Sequence, residues 1–246
     1  MNRKPGILLI FRMIIVLMLL IVLLPFLSIM TVLLVLISFG KLRNFLVRWV
    51  GFILGRTVLA LAGVRLNIRY HGKKPDQPAV FLFNHSSTLD MFIVISLVQV
   101  PTRFIAKREF HYNPFFWLLN KFLGNIMIDR EKSRASVKKM HKAYDYLRKN
   151  RISLVFAPEG TRSQTGEIGP FKSGAFRTAM ELEYPIIPVY IEGAYELCPG
   201  KSLVTRPGVV TIHIHSPIDT SVWDRKQIRS HVREVRNMYL DWSGQQ

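Results

Sequence analysis

The chain has a single cysteine among its 246 residues, so no disulfide can close within it. It shows no cysteine spacing of the zinc-binding kind, and this poverty in cysteine fits a reducing compartment. Cys198 runs into Pro199 and Gly200, a turn, and is not expected to be a nucleophile. Acidic residues are scarce as well: 16, against 34 lysines and arginines, for a formal charge of +18. Such a field draws phosphate-rich surfaces. The basic residues are spread along the chain and no nucleic-acid-binding motif accompanies them, so nucleic acid is not the expected partner. Anionic lipid, or a phosphorylated or acidic substrate, is. No internal repeat, low-complexity tract or second-domain linker interrupts the chain.

The charge is missing altogether from residues 13–40. As one helix this stretch would be roughly 42 Å long, against a hydrocarbon core of about 30 Å. It is too long for one untilted span and too short for two. Arg3, Lys4 and Arg12 precede it and Lys41, Arg43 and Arg48 follow it, so the positive-inside rule gives no orientation. Pro25, near the middle, would kink or break a helix. Two structures fit: a tilted, kinked span, or a shallow helical hairpin bent at Pro25 with both basic flanks on the anionic cytoplasmic face. The hairpin is the expectation. A cleaved signal peptide is not, because the apolar run is too long and Ala60-Leu61-Ala62 lies far beyond any cleavage site. Residues 45–63 are apolar apart from Arg48 and Arg56. They read as an interfacial helix whose arginines reach lipid phosphates, or as an amphipathic helix packed on the domain.

From Val64 the pattern changes. Residues 64–70 alternate like a half-buried strand, and short apolar runs recur at 79–83, 103–106, 125–128, 152–157, 186–191 and 209–214. Helix-like stretches separate them, at 89–97, 114–122, 133–149, 173–181 and 224–241. Strands alternating with helices indicate an α/β domain around a central sheet.

Directly after the run at 79–83 stands Asn84-His85-Ser86-Ser87-Thr88-Leu89-Asp90. A histidine can take a proton from a hydroxyl near neutral pH, and an aspartate on its far ring nitrogen fixes the tautomer and stabilises the imidazolium. No serine or cysteine nucleophile is obvious beside the pair, so the attacking hydroxyl would belong to the substrate. Five residues of helix turn through roughly 140° beyond a full circle. His85 must therefore lie in the turn before a helix, with Asp90 in its first turn. Ser87-Thr88-Leu89-Asp90 also fits a capping box, which explains the same residues structurally and can coexist with the pair.

Three other places could carry chemistry. Pro158-Glu159-Gly160-Thr161-Arg162-Ser163 follows a strand. Its glycine permits close approach to a ligand, and Arg162 could grip a phosphate or be a surface residue of a polar turn. Asp129 and Arg130 end a short strand, either as a salt bridge or with Arg130 on the same phosphate as Arg162. His213 and His215 alternate on one strand face, but no further ligands accompany them and no metal is expected. Lys138, Lys139 and the charged residues of 225–236 read as solvated helix faces.

Taken together, four blocks in order resemble the glycerophospholipid acyltransferases, most closely the 1-acyl-sn-glycerol-3-phosphate acyltransferases. They are Asn84 to Asp90, Gly124 to Arg130, Phe156 to Ser163, and Pro185-Ile186-Ile187-Pro188-Val189, within residues 64–193. The resemblance implies a single α/β acyltransferase domain at 64–246, with a central mixed sheet flanked by helices, preceded by membrane-embedded and interfacial helices at 1–63. It implies transfer of a fatty acyl group from acyl-CoA or acyl carrier protein to a lysophospholipid hydroxyl, without cofactor or metal. His85 would be the general base and Asp90 its orienting partner. Arg130 and Arg162 would bind the acceptor phosphate, while Glu159, Gly160 and Thr161 shape its site. Oxyanion donors are expected among backbone N–H groups near the helix start after His85. Ser86 and Thr88 stand where many members carry glutamine and an aromatic residue, and Ser173 replaces a frequent lysine. Lysophosphatidate is the expected acceptor, with another lyso-lipid such as lyso-ornithine lipid as the alternative. A non-enzymatic lipid-binding protein would share the basic surface. A lipid hydrolase is disfavoured by the missing G-x-S-x-G block.

Overall fold

The computed structural model describes residues 7–97, 101–107, 122, 124, 126–128, 134–202 and 204–245. Two long helices, α1 (Ile7–Ile37) and α2 (Arg43–Leu61), lead into an α/β domain. Its strands are β1 (Val64–Tyr70), β2 (Val80–Phe83), β3 (Thr102–Lys107), β4 (Ile126–Ile128), β5 (Ser153–Phe156), β6 (Ile186–Glu192) and β7 (Gly208–Ile214). Its helices are α3 (Asp90–Leu97), α4 (Arg134–Lys149), α5 (Gly174–Leu182), the short α6 (Ala194–Leu197) and α7 (Ile228–Ser243), with a 3₁₀ turn at Arg225–Gln227 before the last. Every expected strand is present within about a residue or two. The expected helix at 114–122 lies outside the described residues apart from Phe122.

Pro25 does not break the apolar helix. α1 runs unbroken through it, about 46 Å of helix. A proline inside a helix costs about 3 kcal/mol, and one such loss among thirty residues leaves the rest of the ladder intact. The chain reverses instead at residues 38–42. Gly40 takes φ 80° there, and its N–H returns to Val35 O at 2.8 Å, a left-handed glycine stop. The hairpin expected within residues 13–40 is therefore not formed: that stretch is one helix, and the reversal at 38–42 joins it to α2, with Arg12 donating to Leu61 O across the two. Both helices are long and apolar enough to cross a membrane. α1 leaves Phe11, Val22 and Ile37 exposed, consistent with membrane association.

The seven strands form one sheet in the order β1-β7-β6-β2-β5-β3-β4. Pairing is parallel throughout except between β6 and β7, and that one joint makes the sheet mixed. Alternating side chains divide the interior into two cores. Phe83, Val155, Ile187 and Ile212 face α2 and α3, whose Leu59 and Ile93 are buried there. Val80, Leu82, Leu154 and Ile186 face α4, α5 and α7. Packed on both faces, β2, β5 and β6 end together, and loops leaving the carboxyl ends of parallel strands are where such sheets build sites.

Candidate active site

β2 ends in Asn84, whose side chain clamps the neighbouring strand. It donates to Ile191 O at 3.0 Å and accepts from Ile191 N at 2.7 Å. This fixes the departure point of the next residue, His85, in the turn before α3. Asp90 opens α3 with no exposed surface. His85 Nδ1 and Asp90 Oδ2 are 2.8 Å apart. The same Oδ2 accepts from Ser86 N and Ser87 N, each at 2.8 Å. An oxygen that takes two N–H donors is an acceptor for the imidazole too, so Nδ1 carries the proton and Nε2 has a free lone pair. The helix cap coexists with the pair: Asp90 reaches back to Ser87 N while Ser87 Oγ accepts from Leu89 N at 3.1 Å.

The loop after β5 supports this turn from behind. Glu159, buried, accepts from His85 N at 2.8 Å through one oxygen and from Gly169 N at 3.1 Å through the other. Burial pushes its pKa up, while the two N–H donors pull it down. Both oxygens are thus committed to backbone. Ser163 N donates to His85 O at 2.7 Å, so the loop holds His85 at both its amide and its carbonyl. Gly160 has φ 75°, and a Cβ there would lie 2.7 Å from Lys172 Nζ. Glycine is needed for the left-handed conformation, while the exposed lysine could swing aside.

A third segment walls the other side. Residues 198–202 pair with the turn through a bridge between Ser87 and Pro199, and Ser87 Oγ donates to Cys198 O at 2.6 Å. Thr88 Oγ1 donates to Ser202 O at 2.9 Å and accepts from Arg162 Nη1 at 3.0 Å. The Thr88 hydroxyl ties the exposed Arg162 to this wall.

His85, Asp90, Glu159, Gly160 and Arg162 therefore meet at one end of the sheet, with the exposed Thr161 on the same loop. Arg130 lies outside the described residues. The N–H groups of Ser86, Ser87 and Leu89 are already bonded, which removes them as the expected oxyanion donors. His213 is engaged with His71 at 2.9 Å and with Glu192 at 3.0 Å on opposite ring nitrogens, and among the described residues no three ligands converge on a metal position. The sequence reading gave no role to Asn84, Gly169, Lys172 or residues 198–202. Asn84 alone left a signal, a buried-type amide at a strand end. A cavity of about 500 Å³ lies elsewhere, lined by Gln77, Pro78, Arg148, Arg151 and Tyr184 ahead of the strands.

These residues place a fixed-tautomer histidine and an exposed arginine at the carboxyl ends of parallel strands. The family model described as Acyltransferase matches residues 67–192, just over half of the chain, which belongs to that family. Within it the chain falls among the 1-acyl-sn-glycerol-3-phosphate acyltransferases. It is 30% identical over 191 residues to the protein of that name from Cocos nucifera, covering 78% of this chain and 62% of that one. It is 32% identical over 160 residues to the one from Escherichia coli (strain K12), covering 65% and 64%. The chain thus spans a little under two thirds of the length of these relatives. Its fold matches the crystal structure of the 1-acyl-sn-glycerophosphate (LPA) acyltransferase from Thermotoga maritima, with a TM-score of 0.73 and 22% identity over 97% of this chain and 96% of that one.

Proposed function

We propose that this chain transfers a fatty acyl group from an acyl thioester, acyl-CoA or acyl carrier protein, to the free hydroxyl of 1-acyl-sn-glycerol-3-phosphate, giving phosphatidic acid. The observation that carries the reading is the 2.8 Å contact between His85 Nδ1 and an Asp90 oxygen that also holds two backbone N–H groups. His85 Nε2 takes the acceptor proton as its oxygen attacks the thioester carbonyl. The C–S bond breaks on collapse of the tetrahedral intermediate, and the thiolate leaves with the proton from the imidazolium. Asp90 holds the ring and offsets its transient charge. Arg162 binds the acceptor phosphate, with Arg130 assigned the same task and Gly160 and Thr161 shaping that pocket. Glu159 acts through His85 as a positioning residue, since its oxygens already hold backbone N–H groups.

Residues 64–246 form the acyltransferase unit, and residues 1–63 hold it on anionic lipid at the cytoplasmic face of a bacterial inner membrane. The exposed apolar surface of α1 and the +18 charge support that placement. The test is thiol release from acyl-CoA or acyl carrier protein with and without lysophosphatidate, comparing the native chain with His85→Ala. Acceptor-dependent release should vanish in the variant while membrane association persists. Full activity in the variant would remove His85 from the reaction. Release that needs a different lyso-lipid would move the acceptor to that class.

A further inference from the structure

Away from this site, two guanidinium groups meet, and among the described residues no acid lies between them. Arg103, on β3, has no exposed surface. Its Nη1 donates to Thr102 O at 3.0 Å and its Nη2 to Asn44 Oδ1 at 2.6 Å. Among the described residues its Nε has no hydrogen-bond partner, and neither has the Nε of Arg43, the half-buried residue that opens α2. Arg43 Nη1 reaches the Tyr146 hydroxyl at 3.4 Å. Both side chains converge on one notch beside Gly124. A Cβ placed on that glycine would lie 3.3 Å from Arg103 Nε and 3.6 Å from Arg43 Nη1.

The partners are a carbonyl, an amide and a phenol, and among the described residues none is a carboxylate. Arginine does not shed its proton, so the two charges must repel in place. A buried charge without a counter-charge is costly, and a second one beside it raises the cost. Burial pushes the Arg103 pKa down; Tyr146 opposes this, and Arg43 adds to it. α2 contributes in the same direction. Its N-terminus has neither a capping side chain nor an acidic residue in the first turn, which leaves the positive end of a 19-residue helix uncompensated.

The surroundings say what kind of anion fits. Phe39, Leu42 and Phe45 flank the approach to Arg43 with 92%, 41% and 57% of their surface exposed. Such side chains suit acyl chains rather than water. We propose that Arg43 and Arg103 form a site for the phosphate of an anionic membrane phospholipid at the turn between α1 and α2. Arg43 meets the headgroup from its open side, and Arg103 supplies the fixed charge behind it. The site is distinct from the acyl-transfer site: Arg103 is level with Leu154 and Val80 in the sheet, and His85 lies five residues further, about 16 Å along the strands. The inference rests on the membrane reading above and not on acyl transfer.

The test uses the full chain and nanodiscs of phosphatidylcholine with or without phosphatidylglycerol. Phosphatidylglycerol should raise both affinity and thermal midpoint in the native chain. Arg43→Gln should lose that increment, about a tenfold drop in affinity, with binding to phosphatidylcholine unchanged. Arg48→Gln, the same charge removed from the same helix, should keep most of it. Equal loss in both variants would mean diffuse attraction and overturn the site, as would an undiminished increment in Arg43→Gln. Inorganic phosphate alone producing the full thermal increment would overturn the lipid and leave a soluble anion. Failure of the native chain to bind either nanodisc would sink the membrane reading instead.

Discussion

Asp90 and Arg103 are both charged, both without exposed surface, and they sit at opposite ends of the parallel strands. One oxygen of Asp90 takes three donors, an imidazole and two backbone N–H groups, while among the described residues its other oxygen has no partner. Arg103 has neutral acceptors and a second cation beside it. His215 shows a third treatment. Burial against Trp242, whose ring stacks on it at 3.5 Å, drops its pKa to about 4, with His71 and His213 adding to the shift. At neutral pH it gives its charge up. The fold gives one buried charge donors, neutralises another, and leaves a third beside a like charge.

The strongest way to break this comparison is Asp90→Asn. Loss of the matched charge should cut acceptor-dependent thiol release about 10³–10⁴-fold with the chain still on the membrane. A loss below tenfold would mean that the carboxylate charge is not what the turn is built for. Glu159→Ala should cost about 10²-fold in kcat, because the His85 and Gly169 amides lose their acceptor and the ring shifts; Glu159→Gln should recover part of it. Steady-state rates on the two variants separate a positioning role from a purely steric one. Thr88→Val should raise the acceptor KM about tenfold with kcat held, by freeing Arg162, and Thr88→Ser should restore it. Arg43→Gln should leave that split untouched.

The smallest effect belongs to His215. Its folded-state pKa lies below the unfolded value, so its contribution to stability is complete above about pH 6.5 and is lost as pH falls toward about 4. The groups facing it are His71, His213 and Trp242, with Glu192 bonded to His213. His215→Phe should flatten the acid side of a thermal-midpoint profile across that window. An unchanged slope would assign the acid sensitivity to other groups.

The strands were legible because their apolar runs are short: β2, β5 and β6 are buried on both faces, while β1 and β7 alternate between buried and exposed positions. The His85–Asp90 geometry was legible because only a turn followed by a helix lets those positions meet. Glu159 was marked only as shaping the acceptor site: its bond to a backbone group 74 residues away follows no local pattern. Thr88 and Ser202, 114 residues apart, escaped for the same reason. In the apolar segment the expected bend was Pro25, and Gly40 was passed over. A missing N–H is survivable inside a long apolar helix, while a left-handed glycine stop ends one, and the glycine prevails.

Cys198 is the sole thiol of the chain and it is 1% exposed, its Sγ 3.4 Å from Ser202 O in the segment that walls the site. A thiol-labelling reagent can reach it only when that segment lifts. The labelling rate therefore counts opening events of the wall, and any ligand seated beneath Thr88 and Arg162 should slow it without a change in the intrinsic chemistry of the sulfur.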